Sequence, residues 1–124
     1  VNVLTGARAH LVDLYQLAGI DAYSFTPPTV IPPIVTVLPA SAWIEPNRVG
    51  KYHAKVELTA TAYVSLIDPS VALTQLEELI DELILATPSG VLITSVDAPR
   101  VDSTSSQGDL LASDLNIHAH VRRD

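Results

Sequence analysis

The stretch Tyr52-His53-Ala54-Lys55-Val56-Glu57-Leu58-Thr59-Ala60-Thr61-Ala62-Tyr63-Val64-Ser65-Leu66 decides the fold. Ala54, Val56, Leu58, Ala60, Ala62 and Val64 fall on one side of it, and His53, Lys55, Glu57, Thr59, Thr61 and Tyr63 on the other. Successive side chains of a β-strand point to opposite faces, so a period of two marks a strand with one covered face and one wet face. Antiparallel sheets show this pattern, because only one of their faces must be packed. The stretch therefore predicts a long, half-buried antiparallel strand.

Working outward toward the C-terminus, Asp68 can cap a helix and Pro69 suits its first position, where the missing amide hydrogen costs nothing. Leu73, Leu76, Ile80 and Leu83 then repeat at helical spacing, which predicts a helix to about Ala86. Thr87, Pro88, Ser89 and Gly90 break it, and Val91 to Val96 is an apolar run of strand length closed by Pro99. Arg100 to Ser113 is rich in Asp, Ser, Thr, Gln and Gly, and is expected to be a long projecting loop. Leu115, Ile117, Ala119 and Val121 alternate with Asp114, Asn116, His118, His120 and Arg122, which gives a final half-buried strand.

Toward the N-terminus, Leu4, Ala7, Leu11, Leu14 and Ala18 recur at steps of three and four and form one helical stripe. Thr5 is expected to cap this helix, and Gly19 to end it in the left-handed conformation with Ile20 folding back on the last turn. After an extended piece at Tyr23 to Phe25, the proline pairs Pro27-Pro28 and Pro32-Pro33 make a stiff connector. Ile34 to Leu38 is a short strand ended by Pro39, and residues 39 to 50 are expected to be a loop. The order is helix, strands, helix, strands. It predicts an α+β fold, an antiparallel sheet of about four main strands packed against two helices, in a single domain over residues 1 to 124.

Hydrophobic residues make up 48% of the chain and charged residues 17%, enough apolar material for a core and too little charge for disorder. Aromatics are only 5%, so the core must rest on Val, Leu, Ile and Ala. The absence of cysteine excludes disulfides, thiolate zinc sites and thiol nucleophiles. No apolar run approaches the ~20 residues of a membrane-spanning helix, and the opening residues lack the pattern of a secretory signal; a soluble protein away from membranes is expected. Net charge is −7. Residues 1 to 62 hold four basic and four acidic groups, whereas residues 63 to 124 hold three basic and ten acidic. Such a surface repels phosphate backbones, so specific nucleic-acid binding is not expected.

Few side chains suggest chemistry. His118 and His120, two apart on a strand, share a face and could hold a metal, with His53 as a third ligand if the two long strands were neighbours. The same residues also serve simply as polar groups on an outward face, and no metal or other cofactor is expected. Glu77, Glu78, Asp81 and Glu82 place like charges at i and i+4, either as a solvated helix face or as an acidic wall against a partner or channel. There is no Gly-x-Ser-x-Gly elbow, Gly-rich phosphate loop or HExxH helix, and an enzyme is not expected. Trp43, beside Ile44, is either an interface anchor or a lid over the core.

The leading helix closing at Leu17-Ala18-Gly19-Ile20, the proline-rich lead-in Thr26 to Pro33, the strand Ile34 to Leu38, the long strand Tyr52 to Leu66, the helix Ser70 to Leu85 and the closing strand Asp114 to Val121 together resemble the tail terminator, or tail-completion, family of long-tailed bacteriophages. The resemblance covers nearly the whole chain and rests on the layout of elements. It implies a structural virion protein that caps the tail tube as a ring of six copies, stops tube polymerisation and joins tail to head. It would be assembled in the host cytoplasm and located at the neck. The implied partners are other copies of itself, the tail tube protein and the head-completion or neck proteins, with DNA passing through the ring. The contact residues expected are Pro32, Trp43, Ile44, Arg48, Arg100, Asp102 and Asp109. Two other readings remain open: another head-tail connector such as a head-closure protein, and a small ligand-binding α+β domain, which would need a concave pocket between helices and sheet.

Overall fold

The computed structural model describes residues 3–25, 27, 32–46, 53–88, 91–103 and 109–122. In chain order the elements are α1 (Val3–Leu17), β1 (Ala22–Tyr23), β2 (Ile34–Pro46), β3 (His53–Ser65), α2 (Pro69–Ala86), β4 (Val91–Val96), β5 (Arg100–Asp102) and β6 (Leu110–Arg122). The strands form one sheet in the order β1-β2-β3-β6-β4, with β5 also pairing β6. The fold is α+β, as the element order predicts. The sheet is mixed rather than wholly antiparallel, because β1 runs parallel to β2. Its four long members, β2, β3, β6 and β4, alternate in direction. β1 and β5, of two and three residues, are additions at the margins.

β3 is the strand that the alternation predicts. Val56, Leu58, Ala60, Ala62 and Val64 are all buried on the helix side. Across the sheet, Val35 and Val37 of β2 and Leu115, Ile117 and Ala119 of β6 are register partners of that row and are buried with it. α2 closes this face with Ala72, Leu76, Leu79 and Leu83. Burial selects a stripe rotated from the one read in sequence: Leu73 is 44% exposed and Ile80 only half-buried, whereas Ala72 and Leu79 face inward. α1 adds Leu11, Val12 and Tyr15 in place of Leu14 and Ala18. A helix with apolar residues nearly all round does not reveal which stripe its sheet will cover.

The helix ends follow local chemistry. The Asp68 side chain accepts the Ser70 amide at 3.2 Å and Pro69 opens α2, so this cap is as the sequence predicts. Thr87 ends α2, with its amide donating to the carbonyls of Leu83 and Ile84. Gly19 has φ +86°, a conformation most side chains avoid, and Ile20 after it is buried. Thr5, by contrast, lies inside α1 rather than at its cap.

Two expected loops are in part strands, with residues 47–50 and 104–108 of them lying outside the described residues. Residues 39 to 46 continue β2 to Pro46, and the register breaks between Pro39, opposite Leu58, and Ile44, opposite Val56. Prolines end central strands, but on a strand whose outer side is largely free they remove only an amide that the sheet does not use. Residues 100–113 are not one long loop either. Arg100–Asp102 is β5, and β6 begins at Leu110, so only residues 103–109 connect them. The reason is that Leu110 and Ala112 carry the alternation of β6 backward and are buried on the face away from the helices. Among the described residues, no helix is long and apolar enough to cross a membrane.

These burials predict that Leu76→Ala costs about 2–5 kcal/mol of stability through lost transfer energy and an unfilled cavity, and Leu73→Ala no more than about 1 kcal/mol. Urea unfolding at matched protein concentration checks this. Equal losses at the two positions would place the α2 stripe elsewhere.

Candidate functional site

Polar chemistry gathers on the sheet face away from the helices. The register brings Thr36, Thr61 and Asp114 into one row, Leu38, Thr59, Asn116 and Ser95 into the next, and Glu57, His118 and Leu92 into a third. Thr61 donates its hydroxyl to Asp114 at 2.7 Å, and Arg100 of β5 reaches the other oxygen of Asp114 at 2.9 Å. His118 Nε2 lies 2.6 Å from a carboxylate oxygen of Glu57. Asn116 donates its amide to Ser95 Oγ at 2.9 Å and to Asp97 Oδ1 at 3.2 Å. Ser113 donates to the Asp97 carbonyl at 2.7 Å, and the Asp97 amide donates to the Asp114 carbonyl at 2.8 Å. Asp97, Arg100 and Asp114 thus fasten the ribbon of β4 and β5 to β6.

Tyr63 stands in the same face, across from Ile34 on one side and Ala112 on the other. Burial, and after it the negative charge of Asp102, raise its phenol above the ordinary range, while Arg100 pulls the other way. Tyr15 lies under the helices, fully buried, with its hydroxyl 2.9 Å from Thr87 Oγ1. Desolvation raises its pKa, and the Thr87 hydrogen bond opposes that.

Among the concavities at the described residues are two that bear on a ligand-binding reading. One, of about 370 Å³, lies between α2 and the start of β2, lined by Pro32, Pro33, Val64, Ser65, Gln75, Glu78, Leu79 and Glu82. The other, about 320 Å³, is a depression on the outer face over Glu57, Thr59, Thr94, Ser95, Asn116 and His118. Both are near the lower limit of small-molecule pockets. All four acidic residues at 77, 78, 81 and 82 are exposed, and Glu78 and Glu82 rim the first cleft.

Among the described residues, the structure brings three of the sequence-predicted contact residues to one margin: Arg100 and Asp102 stand around Tyr63 and Asp114, and Asp109 directly precedes Leu110, the register partner of Asp102. Pro32 sits apart, at the α2 cleft. Asp109 is exposed and accepts the Leu66 amide through its carbonyl at 3.1 Å. Trp43 and Ile44 belong to β2, with Ile44 opposite Val56, and their side chains lie outside the described residues, as does the whole of Arg48. Trp43 is therefore on a strand and not in a loop. The histidine pair falls on a strand adjacent to β3, with His118 opposite Glu57 and His120 opposite Lys55. Among the described residues no three metal-ligating side chains converge. Sequence reading missed Thr61, Tyr63, Asp97 and Asp114 as a group; the one available signal was the alternation itself, which puts Thr61 and Tyr63 on the outward side of β3.

A third feature is the margin of the sheet. β4 has β6 on one side and no strand on the other among the described residues. Leu92 is 60% exposed and Val96 41%, and its sequence Val91-Leu92-Ile93-Thr94-Ser95-Val96 has neither charge nor proline. On the opposite margin β1 pairs only Val35 and Thr36, and among the described residues no strand pairs the rest of thirteen-residue β2 on that side. No protein-family model matches the chain, and comparison with curated proteins finds no match.

Because Tyr15 and Tyr63 hold their protons longer folded than unfolded, the folded state binds more protons above about pH 10 and stability falls as pH rises through that range. Absorbance titration of phenolate should show both ionising late, and Tyr15→Phe should remove one late component. That variant should also lose about 1 kcal/mol with the Thr87 hydrogen bond. Four tyrosines titrating together near the ordinary value would contradict these placements.

Proposed function

We propose that this chain is a structural ring-forming protein of the phage tail terminator kind, capping a tail tube and offering its other face to neck proteins. The observation that carries the reading is the β4 margin. A six-residue edge strand with no charge, no proline and two apolar side chains in water is the kind of edge that natural proteins otherwise guard. An edge left in this state fits a chain that completes its sheet against another chain. Further apolar groups in water, Leu17 at 84%, Ile67 at 89% and Leu85 at 78%, fit the same view.

A ring needs a heterologous contact repeated around an axis, which edges and exposed apolar side chains can supply without any deep pocket. The element order that resembles the terminator family supplies the specific identity, with a hexamer as the expected ring and DNA as what passes through it. The surplus of acidic groups suits a lumen to which DNA must not adhere. The small-ligand reading has one observation in its favour, the 370 Å³ cleft beside α2. A role as a different head-tail connector would use the same ring and differ in its neighbours.

Native mass spectrometry with negative-stain imaging, with and without the tail tube protein, tests the proposal. Rings are expected, alone or on tube ends. Leu92→Lys with Val96→Lys should abolish them while leaving the far-ultraviolet circular dichroism unchanged, since both side chains are exposed. A species that stays monomeric with and without tubes would overturn the ring reading.

A further inference from the structure

We infer that the strand which completes the β4 edge is the outer side of β2 in the next copy, so that one sheet runs on from subunit to subunit. This rests on the ring reading above and names the contact within it. Three observations lead there.

The first is direction. β2, β3, β6 and β4 alternate, each antiparallel to its neighbour, so β4 runs opposite to β2 within one subunit. Rotation about a ring axis roughly along the strands preserves strand direction. The β4 of one copy then meets the β2 of the next antiparallel, and the alternation continues across the boundary. An odd number of main strands would have broken it.

The second is the supply of hydrogen-bonding groups. β2 contains Pro39 and Pro46, which offer carbonyls but no amide hydrogens, so its outer side is short of donors. β4 contains no proline, so apart from Val91, whose amide donates to the Pro88 carbonyl, every alternate position can turn an amide to the outer side. A donor-poor edge is better matched by β4 than by a second β2. The third is charge. Copies that each carry −7 repel one another, and β4 supplies a stretch of edge with no charge at all. Pairing of two β4 strands about a twofold axis would satisfy charge as well, but it closes at two copies and leaves both β2 margins open.

The chain has no cysteine, so introduced thiols report cleanly. Leu38 and Ser95 lie on the same sheet face, Leu38 opposite Thr59 and Ser95 opposite Asn116, which is itself opposite Thr59. Leu38→Cys with Ser95→Cys, treated with a short bismaleimide that tolerates a register slip of two residues, should give a covalent ladder up to the ring. Each single variant should give monomer only. A second pair, Ala40→Cys with Ser95→Cys, covers a longer slip. Covalent dimers from Ser95→Cys alone would show twofold β4 pairing and overturn the inference. Rings seen by native mass without a ladder from either pair would overturn it too, while leaving the ring reading standing. Absence of rings in the parent protein both alone and with tail tubes would overturn both.

Discussion

Everything in this fold hangs on the pairing of β3 with β6. Thirteen register partners run without interruption from His53 opposite Arg122 to Ser65 opposite Leu110. Because side chains alternate, this register alone decides which of them meet the helices. It sets Val56 beside Ala119, Leu58 beside Ile117 and Ala60 beside Leu115 on the covered side. A slip of one residue would turn the inward row of one strand toward water and leave the pair mismatched. α2 rests on both of these strands and α1 on β6, β2 and β1, so the pairing sets the surface on which both helices pack.

The two sheet faces are held by different forces. The helix side is aliphatic, with Leu76, Leu79 and Leu83 over Val56, Leu58 and Ala60, and it draws its stability from apolar area removed from water. The outer side is mixed: Ile34, Leu110 and Ala112 are buried there, and beside them stand polar pairs, Thr61 and Arg100 on Asp114, His118 on Glu57, Asn116 on Ser95 and Asp97. Between residues 91 and 103 no side chain is fully buried. This ribbon is kept on β6 by backbone pairing, by the Asp97 and Asp114 contacts and by Val91 and Ile93, which are only partly buried against the core, and it belongs to the low-stability end of the molecule.

Much of this was legible in the sequence, and the failures have physical causes. The alternation in residues 52–66 and 114–121, the Asp68-Pro69 helix start and the Gly19 stop are local signals, and local chemistry decided them. The extension of β2 past Pro39 was not legible, because proline is tolerated only where one side of the strand is free, and that is a property of strand order. The start of β6 at Leu110 was hidden by the polar residues before it, although Leu110 and Ala112 have the same period as the rest. The parallel β1 rests on two residue pairs, Ala22 with Val35 and Tyr23 with Thr36, too short a run to leave a pattern in the sequence. Of the candidate contacts, Arg100, Asp102 and Asp109 could be placed together only once β5 was known to lie against β6 with Asp102 opposite Leu110, whereas Pro32 was grouped with them by loop-like sequence and stands apart.

The contrast between the outer face and the margin bears on what kind of work this chain does. A polar group that already has its partner gains little by meeting a ligand, since a new hydrogen bond must replace an old one. The pairs on Asp114, Glu57 and Asn116 leave the outer face in that condition. The outer backbone of β4 is different. Among the described residues no strand pairs it, and its Leu92 and Val96 side chains stand exposed to solvent. Covering that margin with another strand removes apolar area from solvent and exchanges solvated amides for paired ones at little polar cost. The free energy still available to this molecule thus lies along its sheet edge more than in a pocket, and an edge selects another chain.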